Sequence, residues 1–491
     1  MKTYRNFIGG EWVTSASSKR IPNINPADST DVLGETPMST RDEAAAACAV
    51  AADAFREWRR VPAPRRGAIV TRAVQLMQER RNAIAQAVAH EEGKLVSEAQ
   101  GEMNRSINVV EFSGAHGRRL NGATIPLELP NNFGYTLRVP RGVAALITPW
   151  NFPVAIPVWK IAPALVAGNS VVFKPSPLTP ETSELVLQCF IDAGVPAGVL
   201  NMVYGDADVG TTMIDHPGVK CVSFTGSTPT GMAIYERAAR RGIPAQCEMG
   251  GKNPVIVLED ADIDLAVAGV MAGAFGSTGQ RCTATSRVIL LHPVADAFLE
   301  RLVDAASKLR LGSGLAESVD MGPIVSEAQL QRVLEYIDIG KHEGAELLYG
   351  GKRVTTGALS KGYFVEPTIF DRVRPEMRIA QEEIFGPVLA VIRVESFDEA
   401  LAAANDSQFG LTSSIYTRDA LRMFRYIDEI ETGMTHVNSP TLGGEAQVPF
   451  GGTKATTVGP TEQGTEVFDF YTENKVAYID YTGAKREGKL Y

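Results

Sequence analysis

The chain has no apolar run approaching the roughly 20 residues that a membrane-spanning helix needs. Its first residues, MKTYRNFIGGEWV, lack the charged-then-apolar order of a secretory leader. A soluble protein made in the cytosol is the expectation. Blocks of like charge are also missing: acidic and basic residues are interspersed along 491 residues with a net charge of −9, which argues against a nucleic-acid footprint. Cysteine is scarce. Cys48, Cys189, Cys221, Cys247 and Cys282 are odd in number and scattered, without CxxC or Cys/His ligand spacing. That pattern supports neither a disulfide framework nor a structural zinc, and no metal is expected.

What the chain does have is a repeated alternation of short apolar strands with longer amphipathic stretches. The spacing predicts strands over residues 143–147, 170–173, 199–204 and 221–224, with helices over 157–168 and 180–193, a short one near 209–214 and another beginning near Pro229. A second series follows Asn253, with strands over 255–258, 288–291, 388–394 and 413–416 and helices over 262–275, 294–309 and 397–405. Such alternation calls for parallel, helix-covered sheets, so the expected fold class is α/β with two sheet domains and the active residues at their junction. Residues 121–141 and 474–481 have strand character but fit neither series. An uncovered strand edge invites pairing with another chain. A two-segment arm in a homo-oligomer is one reading; an ordinary extra hairpin on the same subunit has equal standing. The polar residues 483–491 read as a frayed tail.

Two residues suggest chemistry. Cys282 lies in Gly279-Gln280-Arg281-Cys282-Thr283, after a Gly/Ser/Thr-rich stretch and next to a cation, while Glu248 opens Glu248-Met249-Gly250-Gly251-Lys252-Asn253-Pro254. A thiol can attack a carbonyl carbon, and a carboxylate can then activate water to release the acyl group. The other four cysteines read as small buried apolar residues. Asn151, in Thr148-Pro149-Trp150-Asn151-Phe152-Pro153, follows a predicted strand, at the end where open α/β sheets bind ligands. Its amide could serve a developing oxyanion or cap the following helix. Lys174 and Ser176 come at the end of the next strand, placed to meet a ribose or phosphate or simply to be solvated. Residues 226–231, GSTPTG, stand where a strand gives way to a helix, whose free N–H groups suit a pyrophosphate. The run is neither GxGxxG nor a Walker A loop, and taken singly it reads as a turn.

The runs ITPWNFP, WKIAPAL, VVFKP, FTGSTPTG, EMGGKNP, GQRCTA, EEIFGP and PFGGTK occur in an order that resembles the NAD(P)-dependent aldehyde dehydrogenase superfamily. The resemblance extends from about Asn6 to about Tyr478, and the separation 282 − 248 = 34 agrees with its hydrolytic members. It implies a Rossmann-type cofactor domain over residues 1–120 and 142–253 and an α/β catalytic domain over 254–452. It also implies a small β oligomerisation arm over 121–141 and 465–482, a flexible tail over 483–491, and a homodimer or homotetramer. Cys282 resembles the nucleophile, Glu248 the base for the deacylating water, and Asn151 an oxyanion donor beside the Cys282 N–H. Trp150, Lys174, Ser176, Gly210, Gly226, Ser227, Glu383 and Phe385 resemble cofactor contacts, with Glu383 at the nicotinamide ribose. Phe152, Trp159 and Phe450 resemble walls of the aldehyde tunnel. The implied course is thiohemiacetal, hydride transfer, thioester and hydrolysis to a carboxylic acid, with Arg281 and the nicotinamide as candidate perturbers of the thiol.

Three departures refine these expectations. Many NAD-preferring relatives carry a glutamate three residues after the loop lysine; here Pro177 stands there, so NADP is the expected preference, with NAD as the other possibility. Succinic semialdehyde dehydrogenases often have an arginine where this chain has Trp159, whereas Arg281 resembles a position used for carboxylate-bearing aldehydes, with a structural salt bridge as its alternative. The strings NFPVAIPVWKIAPAL and SPTLGGEAQVPFGGTKAT look most like the α-ketoglutaric semialdehyde (2,5-dioxopentanoate) dehydrogenase branch. The expected substrate is therefore that semialdehyde, with succinic semialdehyde or another small aldehyde as the alternative. Thr461 falls where relatives place a proton-relay glutamate, with Glu462 one residue later, which puts the relay in doubt. A CoA-acylating enzyme and a non-catalytic binding protein are the remaining rivals; CoA-acylating relatives generally lack the Glu248 counterpart.

Overall fold

The computed structural model describes residues 2–483. The part of the expected tail beyond Gly483 lies outside the described residues. An eight-stranded sheet runs in the order Thr457–Val458, Ala245–Glu248, Val219–Thr225, Val143–Ile147, Ser170–Lys174, Leu200–Met202, Asn6–Ile8, Glu11–Val13. Its five central strands are parallel, and the outer pairings are antiparallel. Strand alternation decides which side chains face which layer. Ala144 and Leu146 join the core on one face, and Val143, Ala145 and Ile147 join the core on the other. Both faces are covered by helices, which is why these strands read as unbroken apolar runs.

A seven-stranded sheet holds Glu346–Tyr349, Thr368–Asp371, Val388–Val394, Thr285–Leu291, Asn253–Val257, Thr412–Tyr416 and Met434–Val437, parallel except at its first pair. The two expected strand-helix series are therefore two sheets. Boundaries move by a few residues: the helix expected over 157–168 is Ala155–Ala167, and that expected over 294–309 is His292–Ser307. Pro163 lies inside the former helix, whose end at Gly168 is a left-handed cap with φ 101°.

Asn132–Pro140 and Thr472–Asp480 pair antiparallel over nine residues each, and Thr124–Ile125 adds a short third strand. The two arm segments thus pair with each other. Phe133, Leu137, Val476, Tyr478 and Ile479 remain exposed on this ribbon. Among the described residues no helix is long and apolar enough to cross a membrane.

The site is positioned by topology. From the central strand Val143–Ile147 the chain crosses to Ser170–Lys174 on one side, and only later reaches Val219–Thr225 on the other. Connections therefore leave in opposite directions at this point and open a crevice at the strands' carboxyl ends. Residues 148–151, 226 and 227 line that crevice, and loops leading into strands of the second sheet bring Cys282 and Glu383 to it.

Candidate active site

Cys282 is presented by an unusual turn. After the helix Ile263–Phe275, Ser277, Thr278 and Gly279 have φ of 48°, 57° and 68°. Left-handed backbone costs a non-glycine residue about 1 kcal/mol, so the turn needs tethers. Glu98 accepts from Ser277 N at 2.6 Å and from Arg281 Nη2 at 3.1 Å; Thr278 Oγ1 donates to Gly322 O at 3.0 Å. A Cβ on Gly279 would meet Gly386 O at 2.3 Å, so glycine is obligatory there. Asn253 Nδ2 donates to Cys282 O at 2.8 Å and fixes the nucleophile's own backbone. Cys282 is partly exposed, on the wall of a cavity of about 180 Å³, whereas the other four cysteines are buried.

Arg281 departs from expectation. Its guanidinium bonds Glu98 and Ser277 Oγ, the latter at 2.8 and 3.0 Å, and it does not line the cavity. The structural salt bridge, rather than a substrate contact, is what the fold makes of it. Burial pushes Cys282 up to about 12, the Glu383 and Glu248 carboxylates add to the rise, and the opposing cation is Arg105. The protein alone therefore holds the sulfur protonated near neutrality.

Glu248 ends the strand Ala245–Glu248 and is buried. Its Oε2 accepts from Thr457 Oγ1 at 2.8 Å, while Oε1 has no protein partner. Burial, and then the charge of Glu462, raises its pKa well above the usual carboxylate range. Glu462 forms a buried ion pair with Lys160, which also donates to Ser223 Oγ at 2.8 Å. The shift from 461 to 462 does not remove this acid from the site: the mutual backbone bonds of Phe450 and Glu462, at 2.6 and 2.7 Å, hold it behind Glu248.

Asn151 lines the same cavity as Cys282 and is 2% exposed. It does not cap the following helix, whose N-cap is Val154. One amide hydrogen goes to Gln280 O at 3.2 Å, two residues before the nucleophile, which leaves the second hydrogen of Nδ2 without a bond to the protein.

The expected cofactor residues converge. Lys174, Ser176, Gly210, Gly226 and Ser227 line a trough of about 690 Å³, and Gly226 and Ser227 also line the Cys282 cavity together with Trp150, Glu383 and Phe385. Ser227 is the N-cap of the helix Thr228–Arg240 but makes no side-chain cap bond, so first-turn N–H groups stay available to an anion. Burial lowers the Lys174 ammonium to about 8, the behaviour of an amine waiting for an anionic partner. Trp150 stands edge-on to Phe385, with ring centroids 5.4 Å apart. Glu383 is pushed up to about 7 by burial and accepts from Gly251 N at 3.1 Å. A long trough with an amine at one end and a carboxylate by the thiol at the other fits a dinucleotide.

The Trp159 and Phe450 rings lie 5.3 Å apart, tilted by 34°, and Phe152 packs against the small apolar cluster of Trp159, Val109 and Ile156. The sequence reading missed the residue that crowns this cluster. Arg105 lies 5.2 Å from the Trp159 ring and 5.5 Å from that of Phe450, and its Nε and one Nη are buried without partners. The helix Val96–His116 carries Glu98, Glu102, Arg105, Val109 and Phe112 at steps of three and four residues, one helical face. A charged stripe at that spacing, on a helix with a buried opposite number, is the signal that could have found it.

Comparison with known proteins agrees with this geometry. Residues 12–477 match the model of the aldehyde dehydrogenase family. The chain is 46% identical over 478 residues to an alpha-ketoglutaric semialdehyde dehydrogenase of Bacillus subtilis, covering 97% of this chain and 98% of that one. It is 42% identical over 478 residues to a malonate-semialdehyde dehydrogenase of Geobacillus thermodenitrificans, covering 97% and 98%. Among solved structures, betaine aldehyde dehydrogenase of Staphylococcus aureus in complex with NAD+ superimposes with a TM-score of 0.95 at 34% identity, covering 98% of this chain and 95% of that one. With a family match over nearly its whole length, and with Cys282, Asn151 and Glu383 lining one cavity behind which Glu248 is buried, the chain belongs to the aldehyde dehydrogenase family.

Proposed function

We propose that this enzyme oxidises a carboxylate-bearing semialdehyde, α-ketoglutaric semialdehyde first, to the corresponding acid. The observation that carries the choice is Arg105: a half-buried residue whose Nε and Nη2 are buried without partners beside the Trp159 and Phe450 rings, near enough for its charge to act on the Cys282 thiol. A fixed fork of N–H groups in a desolvated site suits a distal carboxylate. The relatives named for α-ketoglutaric and malonate semialdehydes support an acidic substrate; the tunnel length set by Trp159 and Phe450 would choose between them.

Cys282 Sγ, its proton given up to solvent, attacks the aldehyde carbon, and the carbonyl electron pair moves onto oxygen, toward Asn151 Nδ2 and the Cys282 N–H. Donors aimed at that oxyanion each contribute a few kcal/mol, because they bond the transition state better than the ground state. When bound, NAD(P) supplies the hydride acceptor. Glu248 takes a proton from water as it adds to the resulting thioester, the C–S bond breaks, and the acid leaves. Its free Oε1 and its raised pKa make it a stronger base than an exposed carboxylate.

Residues 1–120 and 142–253 serve as the cofactor domain, 254–452 as the catalytic domain, and 121–141 with 465–482 as the oligomerisation arm. The exposed apolar side chains of that arm support a homodimer or homotetramer. NADP is the preferred cofactor: Lys174 and Ser176 share the trough with Pro177, which offers no carboxylate to repel a 2′-phosphate.

Arg105→Met is expected to raise KM for α-ketoglutaric semialdehyde roughly 100-fold while leaving a neutral aldehyde of similar length within about threefold. Equal losses on both substrates would refute the anchor. Lys174→Ala is expected to lower kcat/KM for NADP about tenfold more than for NAD. An unchanged ratio would remove the case for NADP.

A further inference from the structure

The oxyanion amide sits on a loop, residues 148–154, and a loop holds geometry only as well as its tethers do. Two of those tethers are charged and come from outside the chemistry already described. Lys94 Nζ, on a side chain 1% exposed, donates to Asn151 O at 2.6 Å and to Glu102 Oε2 at 2.9 Å, with Glu92 Oε2 at 3.9 Å. It also stands 4.1 Å over the Phe152 ring. Glu102 Oε1 accepts from Val154 N at 2.8 Å and Ala155 N at 3.0 Å, the first amides of the helix that follows the loop. The loop is therefore gripped at the carbonyl of its functional residue and again at its exit.

The same frame reaches the nucleophile. Cβ atoms on Gly314 and Gly322 would sit 2.1 Å from Lys94 O and Gly93 O, so the catalytic domain's backbone closes directly on the Lys94 turn. Thr278 and Gln280, just before Cys282, bond Gly322 O at 3.0 Å and Pro323 O at 3.4 Å, and Val325 N donates to Gln280 Oε1 at 3.0 Å. Gln280 O in turn receives the Asn151 amide. A buried ion pair is rarely retained for net stability, because taking both charges out of water offsets most of their attraction. Here it has a geometric use.

We infer that Lys94 and Glu102 are positioning residues for the oxyanion site: together they hold the Asn151 loop against the Gln280 carbonyl so that the free amide hydrogen is aimed at the oxygen of the carbonyl attacked by Cys282. Neither touches substrate. The inference rests on the reading of Asn151 as the oxyanion donor, and the test separates the two.

The readout is the burst rate of NAD(P)H formation with saturating aldehyde, in a double-mutant cycle. Lys94→Met combined with Glu102→Gln removes the ammonium and one opposing charge together. This double variant is expected to lower the burst rate roughly 30-fold in the Asn151 protein, with NAD(P) affinity unchanged. In an Asn151→Ala background the same changes are expected to cost less than about threefold, because the group they position is already gone. Full additivity would mean that the pair supports the fold only, and would overturn the inference. If Asn151→Ala by itself leaves the burst rate unchanged, the oxyanion reading fails instead. Should the double variant not fold, Glu102→Gln alone keeps an acceptor for Val154 N and Ala155 N while weakening the grip on Lys94, and the same cycle is read on it. Non-additivity supports positioning, and additivity or an unaltered burst rejects it.

Discussion

Cys282→Ala is expected to lower kcat/KM for aldehyde oxidation at least about 10⁴-fold while NAD(P) still binds with unchanged affinity. The asymmetry follows from the layout. The thiol forms the only covalent bond to substrate, yet the trough is lined by Thr148, Lys174, Ser176, Gly210 and Ile234 among others, with only its reactive end beside the sulfur. Activity measured alongside cofactor titration decides it, and a variant that kept even a hundredth of the rate would remove Cys282 from the mechanism. The pH behaviour of the free enzyme provides a companion measurement. The thiolate is the nucleophile, and burial raises the pKa to about 12, so reactivity is gained as pH rises. Alkylation of Cys282 by iodoacetamide should climb roughly tenfold per pH unit through the neutral and weakly alkaline range. A plateau near neutrality would show that something in the apoprotein already stabilises the anion.

Glu248→Gln should give the second largest loss, and a more selective one. Steady-state kcat is expected to fall about 10²–10³-fold, while a burst of one NAD(P)H per active site persists, since acylation does not need the base and deacylation does. Loss of the burst together with the steady rate would assign Glu248 to thiol activation instead. The acid limb of kcat should lie well above the ordinary glutamate range. Its deprotonated form is the working form, and burial and Glu462 both raise its pKa, so deacylation is lost as pH falls through that raised value. Glu462→Gln removes the repelling charge and leaves Lys160 to favour the carboxylate; the acid limb then moves to lower pH.

Much of the site was legible because its chemistry is written in local runs. Asn151 follows a strand whose apolar run announces it, Cys282 follows a helix whose end is marked by a Gly/Ser/Thr-rich turn, and Glu248 is read from its motif rather than from its strand; the crevice at the strand ends follows from the connectivity. Arg281 illustrates what local reading cannot do. Beside a nucleophile it looks like a substrate anchor, but Glu98, 183 positions away, claims its guanidinium. Arg105 shows the converse, an unremarkable residue in a polar helix that becomes the free cation above Trp159 and Phe450 because the helix Val96–His116 packs against Ala155–Ala167. Glu462 was doubted for a one-residue shift in a motif, yet its backbone pairing with Phe450 aims it at Lys160 all the same.

The sequence by itself determined the α/β class and the two series of strands, and it singled out Cys282, Glu248 and Asn151 as candidates, because hydrophobic period and reactive side chains are properties of short segments. Tertiary structure alone decided which cation lies beside the Trp159 and Phe450 rings, how burial shifts the titrating groups, and what holds the Asn151 loop. Those depend on Lys94, Glu102, Arg105 and Glu462 meeting partners 52 to 345 positions away, in a low-dielectric interior where an unpaired charge acts strongly and a paired one is spent.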